Sequence, residues 1–309
     1  NPYPEGYGHT KKAAPAVDLY ERTVVLVDVN PQRYYVVDLF NVRGGDQHDQ
    51  SWHGPLTEPQ APDLDWQVQE TGTLAGPDVE QFEKYTDRWG RTHTNFPCYV
   101  KDVKRAQVSE PATWTWKYGL EGGDTLNLHI LPVGGPLEAI MCSGRSPARP
   151  EDWALDYVFA RRMVESRERS LFATVIDCYQ GKPVVRNAHI VSEDPLTIEV
   201  QLADGTDTIT LATPETTSRT TDLRHHGVRV VSREEDRITR EVQIGEYSPG
   251  AGPGYITGTI EDLDYASRQI SMSVDPQKQS QLKPGRGVRI YNEDRTAMFR
   301  IEEVHVGGD

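Results

Sequence analysis

At 309 residues the chain is long enough for one to three domains around a large buried core. Its formal charge of −14 opposes a phosphate backbone, and its short basic runs, Arg161-Arg162 and Arg167-Glu168-Arg169, are interleaved with acids, so nucleic acid is not an expected partner. No apolar run reaches the roughly 18–20 residues of a helical membrane span, so no membrane partner is expected either.

Residues 1–18 are proline- and glycine-rich, with neither an initiator Met nor a charged-then-apolar leader. They read as a lead-in segment, either of a processed product or of a piece of a longer protein. A first domain is expected over 19–247. Thr23-Val24-Val25-Leu26-Val27 and Tyr34-Tyr35-Val36-Val37-Asp38-Leu39-Phe40 are rich in β-branched and aromatic residues, which suit a pleated, half-buried surface. Asn30-Pro31-Gln32 supplies turn chemistry between them. A Gly44-Gly45 break then leads to a polar return strand containing His48, Asp49, Trp52 and His53. Pro59 to Pro77 reads as a polar loop, and Asp78–Tyr85 and Glu151–Arg162 are expected to hold short helical turns. Strand patterns recur at Trp114-Thr115-Trp116, Leu126–Pro132 and Leu171–Tyr179, and later on both sides of the Asp204-Gly205 hairpin signal. Ser248–Gly254 reads as a Pro/Gly linker. Over 255–309 four strand candidates follow, Tyr255–Leu263, Gln269–Val274, Val288–Tyr291 and Ala297–His305, marking a small β-domain. The expected fold is all-β: an antiparallel supersandwich followed by that small domain, with few short helices.

The chemistry-bearing residues are sparse. In a strand, residues two apart share a face, so His48 and Asp49 point to opposite sides, as do His48 and His53. A metal site built from these alone is awkward, and no metal or other cofactor is expected. His48 and His53 read either as hydrogen-bonding groups of a substrate cleft or as satisfied sheet histidines, and Trp52 is a further candidate platform for a sugar ring. His129 lies on one face of Leu126–Leu131 with Asn127, facing either a groove or a second layer. Trp114 and Trp116 share a face and either stack on sugar rings or pack between sheets. Arg145, Arg161 and Arg162 are able to grip a carboxylate or sulfate in bidentate fashion, or to form surface ion pairs. His225-His226 reads as solvated. Cys98, Cys142 and Cys178 are too scattered for a disulfide framework or a zinc knuckle and read as buried free thiols. No nucleophile elbow, Walker loop, dinucleotide fingerprint or HExxH is present.

The order of segments adds a resemblance. YERTVVLVDV, YYVVDLFNVRGG and HDQSWHG follow one another, then Trp114-Thr115-Trp116, LNLHILP, LFATVIDCY and Ala203-Asp204-Gly205. Over about Leu19 to Leu211 this resembles the β-sandwich part of heparinase II/III-type polysaccharide lyases. The resemblance implies a two-part parent enzyme, in which an N-terminal α/α toroid supplies catalytic Asn, His and Tyr residues and the sandwich covers the cleft. The implied reaction is β-elimination of an acidic, uronic-acid-containing polysaccharide: a base removes the C5 proton and the leaving oxygen is protonated. The metal- and substrate-facing patterns that the family carries upstream of its YERTV-like strand do not occur here, nor does the toroid. The resemblance therefore implies a non-catalytic portion of an extracytoplasmic enzyme, with no catalytic residue of its own. Its implied partners are the toroid in cis and the acidic polymer in the parent. The alternative is a free-standing carbohydrate-binding or structural β-sandwich. A lyase portion should expose a large apolar face near Pro2 to Val17, where the toroid would dock, whereas a binding module should bury that region and expose a tryptophan row.

Overall fold

The computed structural model describes residues 18–30, 32–86, 90–119, 123–145, 154–165, 168–212, 227–235, 237–245, 258–264, 267, 269–277, 279–284, 287–291 and 296–306. The lead-in segment before Asp18, the Ser248–Gly254 linker, His225-His226 and Pro31 lie outside them. The described chain is all-β, with only single 3-10 turns at Phe96–Cys98 and Gln279–Gln281 as helical elements. Its strands begin with β1 (Leu19–Asn30), β2 (Arg33–Arg43), β3 (Gln47–His53), β4 (Gln67–Val68), β5 (Tyr85–Thr86), β6 (Thr92–His93) and β7 (Val100–Val108). Next come β8 (Ala112–Tyr118), β9 (Asp124–Leu131), β10 (Leu137–Arg145), β11 (Ala154–Met163), β12 (Arg169–Gln180), β13 (Val185–Glu193) and β14 (Leu196–Leu202). The last are β15 (Thr206–Ala212), β16 (Gly227–Glu234), β17 (Arg237–Gly245), β18 (Gly258–Asp264), β19 (Gln269–Val274), β20 (Gly287–Tyr291) and β21 (Thr296–Arg300).

The chain packs as two compact units, 1–193 with 200–203, and 194–199 with 204–309. This division falls ahead of the Pro/Gly-rich segment at which the sequence places the boundary. In the first unit, sheet A has the order β1-β2-β12-β9-β8 and sheet B the order β3-β11-β10-β7-β4. The β1–β2 hairpin closes where Asn30 pairs with Arg33, and Asn30 Oδ1 accepts the Gln32 N–H at 3.0 Å. After β2, Gly44 and Gly45 adopt φ of 107° and 85°, a region that favours glycine, and the chain crosses from sheet A to sheet B there. One core fills the space between the sheets. Phe40, Trp114, Trp116, Leu128, Ile130 and Phe172 of sheet A meet Val108, Leu137, Met141 and Val158 of sheet B. Each such side chain stabilises the fold by roughly 1.5–3 kcal/mol. A second cluster of Leu74, Val103, Ile140, Cys142 and Phe159 lies on the other face of sheet B, where the loop before β7 covers part of it.

In the second unit β15, β16 and β17 are successive neighbours in one sheet. Ile198, Ile209, Leu211 and Val230 are buried there. The Asp204-Gly205 turn joins β14 to β15, as its residue types imply. The four strand candidates of the C-terminal segment form two hairpins, β18–β19 and β20–β21.

Two expectations are corrected. Residues 78–85 form turns leading into β5, not a helical turn. The Phe82 N–H is bonded to the Cys98 carbonyl at 2.9 Å, so the local backbone is committed to a distant partner. The described part of Glu151–Arg162 is strand β11, paired on one side with β10 and on the other with β3. Tyr157, Val158 and Phe159 suit that pleated position, and the two ladders override any helical period.

Candidate functional site

Strand alternation divides the chemistry-bearing side chains among three surfaces: the interior between sheets A and B, the opposite face of sheet A, and the outer face of sheet B. Between the sheets, His48 is buried and both ring nitrogens are engaged. The ring Nε2 lies 2.9 Å from the Gly44 carbonyl and Nδ1 lies 2.7 Å from Ser170 Oγ. A carbonyl only accepts, so Nε2 donates to it, and Nδ1 shares the second hydrogen bond with the serine hydroxyl. His48 therefore clasps β3, the glycine crossover and β12. Beside it Asp38 is buried on β2. It accepts Arg22 Nε at 2.8 Å, Arg22 Nη2 at 2.7 Å and Gln50 Nε2 at 3.1 Å. This contact raises the Arg22 pKa, the hydrogen bond to Asp38 being the main cause.

Trp114 and Trp116 are fully buried in the inter-sheet core, and Trp52 packs half-buried against the same cluster. The tryptophan pair is thus no stacking platform: the packing alternative holds because both indoles point between the sheets. Their Nε1 groups, with that of Trp52, lack partners among the described residues. That cost is outweighed by the apolar area the rings bury.

On the opposite face of sheet A, His129 is buried, so it faces a second layer instead of an open groove. Thr113 Oγ1 lies 2.8 Å from Nδ1 and Asp177 Oδ1 lies 3.3 Å from Nε2. The other Asp177 oxygen accepts the Val184 and Val185 N–H groups at 3.0 and 3.2 Å. Hydroxyl, imidazole and carboxylate stand in the order used by nucleophilic enzymes. Here the histidine is only 7% exposed and the carboxylate ties down the chain after β12, so the arrangement is a buried strand-to-strand brace. Asn127 extends it, accepting Thr115 Oγ1 at 2.8 Å.

Of His48, Trp52, His53, Trp114, Trp116 and His129, His53 alone is exposed, on the outer face of sheet B. Its ring meets Tyr157 edge-on with centroids 5.7 Å apart. Four residues away on the same face Asp49 takes Arg161 in a bidentate pair, both contacts 2.8 Å. Arg162 points elsewhere, holding the Val133, Gly134 and Gly135 carbonyls of the turn between β9 and β10. Burial lowers its pKa. Sequence reasoning missed Tyr157 and Phe96; the alternation within β11 was the available signal for Tyr157. Cys98 and Cys142 are buried and Cys178 is half-buried, all with free thiols. Among the described residues no three His, Cys, Asp or Glu side chains converge as metal ligands.

A further feature lies at the edge of sheet A. Tyr20, Val24 and Leu26 of β1 are 75%, 58% and 61% exposed, and Tyr34 of β2 is exposed beside them. Register places Tyr20 opposite Val42, Leu26 opposite Val36 and the Asp28 position opposite Tyr34, so these side chains share the face that elsewhere forms the inter-sheet core. Tyr20 leans edge-on over Phe40 at 4.9 Å, and Phe40 stacks on Phe172 at 6.1 Å, which makes the exposed row continuous with that core. Sheet B ends at β3, whose Gln50 reaches Asp38 of β2; β1 lies one strand farther out. No helix among the described residues is long and apolar enough to cross a membrane.

A scan against protein-family models finds no match. A search of curated proteins likewise finds none.

Proposed function

We propose that this chain is the non-catalytic C-terminal β-sandwich portion of a heparinase II/III-like polysaccharide lyase, and that it shapes or covers the substrate cleft. In that parent an N-terminal α/α toroid carries out β-elimination on an acidic, uronic-acid-containing polymer outside the cytoplasm. The exposed row of Tyr20, Val24, Leu26 and Tyr34 carries the reading. A largely apolar sheet face, interrupted by Arg22 where it pairs with Asp38, that is core on one side and bare on the other is the surface a missing layer would cover. It lies at the N-terminal end of the sandwich, next to where the resemblance puts the toroid. The ordered YERTV, YYVVD, RGG and HDQSWH segments support the same parent. The rival reading, a free-standing carbohydrate-binding or structural β-sandwich, is less favoured as a binder, because Trp114 and Trp116 are buried and Trp52 packs half-buried against the same core.

Within this reading His48 and His129 position strands and do not handle protons of the substrate. The chain alone, incubated with heparan sulfate and with alginate, is expected to release no unsaturated product, followed by its absorbance. Robust turnover by these residues alone contradicts the reading.

A further inference from the structure

The outer face of sheet B carries, beside the cluster of Leu74, Ile140 and Phe159, side chains that belong neither to the inter-sheet core nor to the proposed docking row. The register sets them in cross-strand rows: His53 opposite Tyr157, Ser51 opposite Phe159, and Asp49 opposite Arg161. On the far side of β11, Arg161 lies opposite Glu138 of β10. Arg105 of β7 donates to the Glu138 carboxylate at 3.3 Å. The first row is aromatic. His53 is exposed and edge-on to Tyr157; Tyr157 in turn meets Phe96 edge-on at 5.4 Å, and Phe96 is 41% exposed. The third row is ionic. Arg161 grips Asp49 through two contacts of 2.8 Å, and Gln47 Nε2 adds a bond to Asp49 at 2.9 Å. Four residues of strand, at about 3.3 Å each, separate the two rows by roughly 13 Å. Tyr157 and Arg161 both sit on β11, which is paired along both edges, so their spacing is held by two ladders.

Exposed His53 and Phe96 with half-buried Tyr157 suit a ligand with an apolar face, and the fixed bidentate Asp49–Arg161 pair suits one with a polar rim. A pyranose ring has both: C–H groups on its faces and hydroxyls around its edge. The charge balance narrows the class. Arg161 is matched by Asp49 and Arg105 by Glu138, so an acidic polymer gains little from arginines already neutralised at 2.8 and 3.3 Å. Neutral hydroxyls fit such pairs better, because they donate to the carboxylate and accept from guanidinium N–H groups. The geometry points to the stripe from Phe96, His53 and Tyr157 to Asp49 and Arg161 as a binding site for an uncharged saccharide chain. This site is separate from the β1 row, and it stands whether or not a helical module covers that row.

The test is affinity electrophoresis of the whole chain through gels containing a soluble glucan, a galactomannan or an arabinoxylan, with alginate as the acidic control. Retardation is expected in at least one neutral polymer and should persist when salt is raised. His53→Ala and Phe96→Ala, both at exposed positions, should each weaken it about two- to tenfold with the thermal midpoint unchanged. Asp49→Asn should weaken it as well, which a proline-rich peptide site resting on the aromatics alone would not show. The proposal is overturned by free migration in all three neutral polymers, or by retardation that both aromatic variants leave intact. Retardation by alginate alone, abolished by salt, overturns it too.

Discussion

Cys142 sits on β10 beneath Ile140, Phe159 and Val103, and burial pushes its thiol up to about 12 from an ordinary value of 9.0. Arg105 and Arg161 pull the other way and do not offset the desolvation. The folded value lies above the unfolded one, so the contribution to stability is fully present below pH 9 and is lost as the pH rises towards 12. Denaturant midpoints measured across that window should therefore fall more steeply in the natural chain than in Cys142→Ala; identical slopes would contradict a buried, protonated thiol. Gly54 shows the same dependence on environment. A Cβ there would lie 2.5 Å from the Trp116 ring, so the glycine lets β3 end against the indole. Neither fact was legible in the sequence, where Cys142 read simply as a buried thiol and Gly54 only closed the HDQSWHG segment. What a side chain meets across a sheet interface leaves no local pattern. The opposite facing of His48 and His53, by contrast, was legible, because a period of two needs only a strand.

At the scale of elements, alternation placed Asn127 and His129 on one side of β9 and Leu128 and Ile130 on the other, and the structure keeps that division. It did not reveal that β2, β9 and β12 are buried on both faces. That property shows as the nearly continuous buried run of β2 and depends on layers contributed by distant segments. The same limit explains β11. Its residues fit either period, and only ladders to β3 and β10 decide for strand. Asp177 is the polar link that ties these layers together, since it holds His129 and the Val184 and Val185 N–H groups at once. Asp177→Ala leaves three donors without their acceptor, and a buried unsatisfied donor costs about 1–3 kcal/mol. The expected loss is roughly 2–5 kcal/mol in urea unfolding at constant m-value. Thr115→Ala, which removes one half-buried hydroxyl from Asn127, should cost no more than about 1.5 kcal/mol. Equal losses for the two variants would show that Asp177 is not the brace it is taken to be.

For the whole molecule, composition and strand patterning were enough to establish an all-β chain, and four C-terminal strands were placed close to where they occur. The division between units was not legible. It groups β15 to β17 with the segment after them, whereas the Pro/Gly-rich stretch draws attention only because its composition is unusual. The proposed role rests on an asymmetry of sheet A: one face is covered by sheet B as far as β3, and beyond it Tyr20, Val24 and Leu26 stand open. Hydroxyl-radical footprinting measures that face directly. In a protein that joins this sandwich to the proposed helical module, Tyr20, Val24, Leu26 and Tyr34 should be protected about tenfold or more relative to the chain alone, with His53 and Phe96 unchanged. Equal labelling of the row in both proteins would contradict the covered interface, and with it the assignment of this sandwich as one half of a lyase.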